Sequence, residues 1–142
     1  MKPFDYMQPT DIAEASSAWA THGSFARLLA GGTDLSVALR HGKITTDLVI
    51  DLKGVAELQP DISESSGHLR VSAGTTMTGL VAYLNAHGLF PSLVDAASVV
   101  GSIQIRNRAT LAGNICNASP AADTVPVLAV LDAIVEIYGP DG

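Results

Sequence analysis

The chain has 142 residues, 47% of them hydrophobic and 15% charged, with a formal net charge of -6. That length and balance suit one ordinary folded domain that buries its core without disulfides, and they exclude an intrinsically disordered chain. The acidic balance and the scattered lysines and arginines exclude a phosphate-backbone binder, and no apolar run reaches membrane-spanning length.

Cys116 is the single cysteine, so this chain alone holds no internal disulfide, zinc ribbon or iron–sulfur cluster. The start, Met1-Lys2-Pro3-Phe4-Asp5-Tyr6, lacks the charged, apolar and small-residue regions of an export signal. Both features point to a reducing, cytoplasmic setting.

In chain order, Asp11 with Glu14 forms a capping-box pattern, and Ile12, Ala15, Ala18 and Trp19 share one face of a first helix that ends before Gly23. Arg27–Ala30 reads as a buried strand running into Gly31-Gly32-Thr33-Asp34. Leu35, Ala38 and Leu39 then mark a short helix closed by Gly42. Leu48–Leu52 is the next strand, and the alternation predicts parallel pairing.

Past Gly54 the pattern changes. Ile62–Glu64 and Leu69–Ala73 flank Ser65-Ser66-Gly67 as a hairpin. Thr76 caps a helix carrying Leu80, Val81 and Leu84, ended by Gly88 and Pro91, and a further helix spans Leu93–Val100. A long polar loop follows, then a helix over Thr124–Leu131 with Pro126 in its first turn, then a strand over Ala133–Tyr138. Tyr138-Gly139-Pro140-Asp141-Gly142 spells a turn that should lead to a partner strand, which marks the final sheet as incomplete and the chain as a fragment or a domain of a longer protein.

Two loops carry chemistry. Ala30-Gly31-Gly32-Thr33-Asp34-Leu35 puts two glycines and a hydroxyl between strand and helix, where free amides suit a pyrophosphate, though the same residues also suit a plain tight turn. Asp51 stands about twenty positions after Gly31, as in a dinucleotide-binding site. The adjacent glycines lack the G-x-G-x-x-G spacing, however, so Asp51 reads as a strand-end cap. The second loop, Ile105–Asp123, is richer in small and amide residues than a connection requires. Thr110, Gly113, Asn114, Asn117, Ser119 and Asp123 supply close backbone approach and polar partners, with Asp123 also placed to cap the next helix.

Other reactive residues have ordinary roles. His22, His41 and His87 each precede a glycine at a helix end, where an imidazole suits the helix dipole. No residues have metal-ligand spacing, and Cys116 reads as a small core residue. Arg106 and Arg108 suit a ligand phosphate, a partner or solvent equally.

With both loops in view, Ala30-Gly31-Gly32-Thr33-Asp34 and Ile105-Arg106-Asn107 through Thr110-Leu111-Ala112-Gly113-Asn114-Ile115-Cys116-Asn117 to Asp123, the chain resembles the FAD-binding medium subunit of molybdenum hydroxylases, nearest to the xanthine dehydrogenase and carbon monoxide dehydrogenase type. The resemblance implies an α+β (α/β) flavin domain of the PCMH type. It would have a small N-terminal α/β lobe over residues 1–54 and a larger mixed-sheet lobe over 55–142, with FAD between them and the C-terminal part missing. It implies cofactor contacts from Leu29, Ala30, Gly31, Gly32, Thr33, Asp34 and Leu35 in the first loop, and from Thr110, Gly113, Asn114 and Asp123 in the second, with no catalytic or metal-ligating residue.

The same resemblance implies an FAD-dependent electron-transfer subunit. It would take electrons from [2Fe-2S] clusters in a small subunit, fed by a molybdopterin large subunit, and deliver them to NAD+ or another acceptor. The alternatives are a stand-alone FAD oxidase of the same flavin fold and a non-catalytic apo fragment that docks partner subunits.

Overall fold

The computed structural model describes residues 2–139. Its first part is a three-stranded parallel sheet, β1 (Asp5–Met7), β2 (Ala26–Leu29) and β3 (Leu48–Asp51), in the order β1-β3-β2. All four residues of the central strand β3 are buried, as expected of a strand covered on both faces. Register pairs Met7 and Leu28 with Ile50, and Leu29 with Asp51.

Helix α1 (Ile12–His22) packs on β2 and β3. Its start is the expected capping arrangement: the Glu14 amide donates to the Asp11 carboxylate at 2.8 Å, while the Glu14 carboxylate accepts from the Thr10 amide at 2.9 Å. Ala15, Ala26, Leu48, Ile50 and Val55 form the core here, with Met7, Ile12, Ala18, Leu52 and Leu58 against it. Helix α2 (Leu35–Arg40) follows β2 and ends at His41 and Gly42, whose φ is +67°.

The second part begins with the antiparallel hairpin β4 (Ile62–Ser65) and β5 (His68–Val71). Ser66 and Gly67 have φ of +53° and +78°, the pair of positive angles that a two-residue hairpin turn matched to strand twist requires. Helices α3 (Met77–His87), α4 (Pro91–Ser98), α5 (Ile103–Arg106), α6 (Leu111–Cys116) and α7 (Thr124–Val130) complete it. Met77, Leu80, Leu84, Leu93, Ala97, Ala109 and Leu111 form a second core, flanked by Ile62, Leu69 and Val71 of the hairpin. Thr76 caps α3 through the Gly79 amide, and Gly88 closes it in the left-handed conformation, as the sequence predicts.

Five expectations need correction. Strand β1 is absent from the sequence reading because three residues are too few to show alternation; its pairing comes from the neighbouring β3. Helix α4 starts at Pro91 and ends at Ser98, because Pro91 occupies its first turn, where the missing N–H costs nothing, instead of acting as a stop. The polar loop carries helical segments, the end of α5 and all of α6, capped by Ser102 and Thr110. Cys116 is exposed at the end of α6 and is not a core residue.

The fifth concerns Ala133–Tyr138, which form no strand among the described residues. Ile134 and Ile137 are 86% and 85% exposed, and an exposed Arg70–Glu136 ion pair at 2.8 Å tethers the segment to β5. Its β-branched composition favours extended backbone, but a strand also needs a ladder partner. The turn expected at Tyr138–Gly142 falls largely outside the described residues.

Leu84 is fully buried in the second core, so Leu84→Ala leaves a cavity. The expected cost is about 2–5 kcal/mol, read as a lower urea midpoint at unchanged slope.

Candidate functional site

The expected cofactor residues lie along one continuous path. Leu29 ends β2, Ala30 to Asp34 form the connection, and Leu35 begins α2. Gly32 has φ +77°, a conformation that suits glycine, and a Cβ there would stand 2.6 Å from the Leu29 Cδ1. The main-chain amides of Gly31, Gly32, Thr33 and Asp34 donate no hydrogen bond among the described residues. Four successive amides without protein acceptors among the described residues, at the carboxyl end of a parallel strand and ahead of a helix, are donors left free for a ligand.

That loop is seated on the second one. A Cβ on Gly31 would stand 2.1 Å from the Arg108 carbonyl oxygen and 3.0 Å from the Ala109 Cα. No side chain fits there, so glycine at position 31 is required for the two backbones to meet. From Ala109 the chain is stitched to the start of α3: the Met77 amide donates to the Ala109 carbonyl at 2.8 Å, and the Leu111 amide to the Thr75 carbonyl at 3.3 Å. The Thr78 hydroxyl donates to the Asn107 side-chain oxygen at 2.7 Å.

Thr110 caps α6 by accepting from the Gly113 amide at 3.0 Å, and a Cβ on Gly113 would stand 2.8 Å from that hydroxyl oxygen. On the next turn the Asn114 side-chain oxygen accepts from the buried Thr124 hydroxyl at 2.6 Å, which leaves the Asn114 amide group as a donor. Thr124 in turn follows Asp123. The structure therefore connects Gly31 to Thr110, Gly113, Asn114 and Asp123 through a chain of packed neighbours.

Asp123 does not cap α7. It stands at the N-cap position, but its backbone is helical and its carboxylate makes no capping hydrogen bond. Its helical backbone departs from the extended conformation of a capping residue, and Pro126 at the third helical position removes one of the two amides a cap could use. Asp123 is exposed, as a carboxylate meeting sugar hydroxyls would need to be.

Beside the glycine loop, Asp51 ends β3 opposite Leu29 with its side chain only 3% exposed. It accepts from the Tyr6 hydroxyl, from the Lys53 amide at 3.0 Å and from the Lys53 ammonium at 2.6 Å. The strand-end capping role expected of Asp51 is thus present. Burial raises its pKa, but the hydrogen bonds from Lys53 and Tyr6 outweigh burial and hold it below the usual carboxylate range. The same contact raises the Tyr6 phenol, because ionising it would break a hydrogen bond beside a negative charge.

The expected histidine roles also hold in part: the His22 and His87 rings hydrogen-bond the carbonyls of Ala18 and Tyr83 in the last turns of α1 and α3. Sequence reasoning missed the part played by Thr75 and Thr78 beneath the site. The threonine-rich run at the start of α3 was the available signal. Among the described residues, no helix is long and apolar enough to cross a membrane.

Asp51 has a depressed folded-state pKa, so its stabilisation is present above the unfolded carboxylate pKa and is lost as pH falls through the folded one. Asp51→Asn is expected to melt below wild type at neutral pH, with the gap closing in acid; a gap constant with pH would refute the assignment. Thr110→Ala removes the α6 cap and should cost about 1 kcal/mol in chemical denaturation.

Comparison with known proteins agrees with this architecture. Residues 2–142 match the family model described as FAD binding domain in molybdopterin dehydrogenase. The xanthine dehydrogenase FAD-binding subunit of Escherichia coli O157:H7 is 36% identical over 137 residues, covering 96% of this chain and 47% of that subunit. Caffeine dehydrogenase subunit beta of Pseudomonas sp. is 33% identical, covering 94% of this chain and 45% of that protein. The chain thus spans about half the length of the curated relatives it matches. Among solved structures, a chain of the Cu,Mo-CO dehydrogenase superposes with a TM-score of 0.92 at 31% identity, covering 100% of this chain and 50% of that one. With the family model matched across nearly its whole length, the chain belongs to the FAD-binding domain family of the molybdopterin dehydrogenases and shares its α+β fold.

Proposed function

We propose that this chain is the FAD-carrying part of an electron-transfer subunit in a molybdopterin-dependent hydroxylase, working in the cytoplasm. It would link [2Fe-2S] clusters of a small partner subunit with NAD+ or another acceptor, while a molybdopterin large subunit hydroxylates the substrate. The observation that carries this reading is the set of four unused amides, Gly31 to Asp34, seated against Arg108 and Ala109.

The residues present fit FAD. A pyrophosphate needs convergent N–H donors and close backbone approach, which Gly31, Gly32, Thr33 and Asp34 supply between Ala30 and Leu35. Leu29 supports the loop from β2. Sugar and ribityl hydroxyls need acceptors and amide donors, which Asn114 and Asp123 would supply, while the buried Thr110 sets the start of α6 and Gly113 keeps that helix face low. When bound, FAD supplies the ability to exchange electrons singly or in pairs. This chain's residues bind and orient it, and none is assigned an acid–base role. The two separate hydrophobic cores support two lobes, proposed as 1–54 and 55–142, although Val55 and Leu58 pack with the first core; the cofactor would lie where the lobes meet at Gly31 and Arg108.

The test is thermal unfolding with excess FAD, with NAD+ as control. A ligand bound only by the native state at a hundredfold over its Kd adds about 2.7 kcal/mol, so FAD should raise the melting temperature and NAD+ should not. Gly32→Val, which forces a β-branched residue to a φ of +77°, should abolish the FAD shift. Equal shifts with both ligands, or an FAD shift that survives Gly32→Val, would sink the reading.

A further inference from the structure

The arginine pair of the second loop divides into two roles. The Arg106 guanidinium donates to the carbonyls of Val100 and Gly101 at 3.3 and 3.0 Å, holding the chain ahead of α5. Arg108 is exposed, and its side chain makes no ion pair or hydrogen bond among the described residues. Yet its own carbonyl is the atom on which Gly31 rests.

The remaining charges near the site are of the wrong sign for a pyrophosphate. Asp34 and Asp123 stand at the starts of α2 and α7 with no capping hydrogen bond, and the chain as a whole is at -6. The other cations are engaged or lie elsewhere. Lys53 is paired with Asp51, Arg70 with Glu136, and Arg27 donates to the carbonyls of Ser24 and Ala26. Arg40 and Lys43 lie at the far end of α2 from the glycine loop, and Lys2 borders Leu39 and Gly42 at that same end. A dianion placed on the Gly31–Asp34 amides therefore has one cation whose backbone adjoins that loop.

We infer that Arg108 is the charge-supplying residue of the cofactor site, binding the pyrophosphate that the glycine loop's amides receive. This rests on the FAD reading above and adds to it a residue that the glycine motif does not contain. A planar guanidinium suits the role, because it offers paired N–H donors to phosphate oxygens and cannot be deprotonated near neutral pH.

The experiment is a fluorescence titration of FAD against wild type, Arg108→Gln and Arg108→Lys at low and high salt, with apo-protein melting measured alongside. Arg108→Gln should weaken FAD binding on the order of tenfold at low salt and flatten its salt dependence, and Arg108→Lys should keep the salt dependence while losing part of the affinity. Apo melting should stay at the wild-type value, as expected of an exposed side chain. An unchanged FAD affinity and salt dependence in Arg108→Gln would overturn the Arg108 assignment while leaving the FAD reading intact. Weakened binding with a matching fall in apo melting would overturn it in favour of a structural role. Absence of FAD binding by wild type would instead overturn the reading on which it rests.

Discussion

The contact between Gly31 and the Arg108 carbonyl is the constraint on which the site depends. The parallel sheet with α1 and the helical part with its hairpin each have their own hydrophobic core, and neither core needs the other's side chains. What joins them at the site is backbone on backbone, at a separation no Cβ tolerates. Ala109 then extends the junction to α3 through its carbonyl, so three segments distant in sequence are fixed against one another by main-chain atoms. Main-chain contacts have few rotamers to lose, which makes such a junction well defined without large side chains.

Local signals were legible because each depends on a few neighbouring residues. Asp11 with Glu14, Thr76 with Gly79, the left-handed Gly88 and the Ser66-Gly67 turn all stand as the sequence implies. The misreadings occur where a partner decides. Strand β1 exists because β3 offers it a ladder, and Ala133–Tyr138 has the composition of a strand without a ladder among the described residues. Pro91 and Pro126 were ambiguous for one reason: a proline near a helix start can open the helix, as Pro91 does, or remove one of the amides open to a cap, as Pro126 does at the third position after Asp123.

At the site, residue types were legible and their assembly was not. Two glycines followed by a hydroxyl and a carboxylate announce a loop that something approaches closely, but only the fold reveals that part of the approach is made by Arg108 itself. Asp51 illustrates the converse. Its position after the glycines imitates a ribose-binding acid, yet Tyr6 and both nitrogens of Lys53 occupy its carboxylate. A buried acid with three donors is a completed structural unit, whereas Asp34 and Asp123 are exposed and without capping bonds. Burial and satisfaction, invisible in sequence, separate the structural carboxylate from those available to a ligand.

An acidic chain that receives an anion has to do so without many cations, and the arrangement of amides answers that difficulty. Backbone N–H groups carry partial positive charge that does not titrate, is fixed by the fold and attracts no competing carboxylate across the surface. Four of them in succession would give a bound phosphate group donors at any pH at which the fold survives. In the proposed reading, specificity for the whole cofactor would fall to the second loop, where Thr110 caps α6 and Asn114 and Asp123 offer amide and carboxylate chemistry along α6 and the start of α7. Asp123 would repel a phosphate and accept from a sugar hydroxyl, so its place beyond Asn114 and Thr124 on the path from Gly31 would suit a ligand that is anionic at one end and rich in hydroxyls at the other.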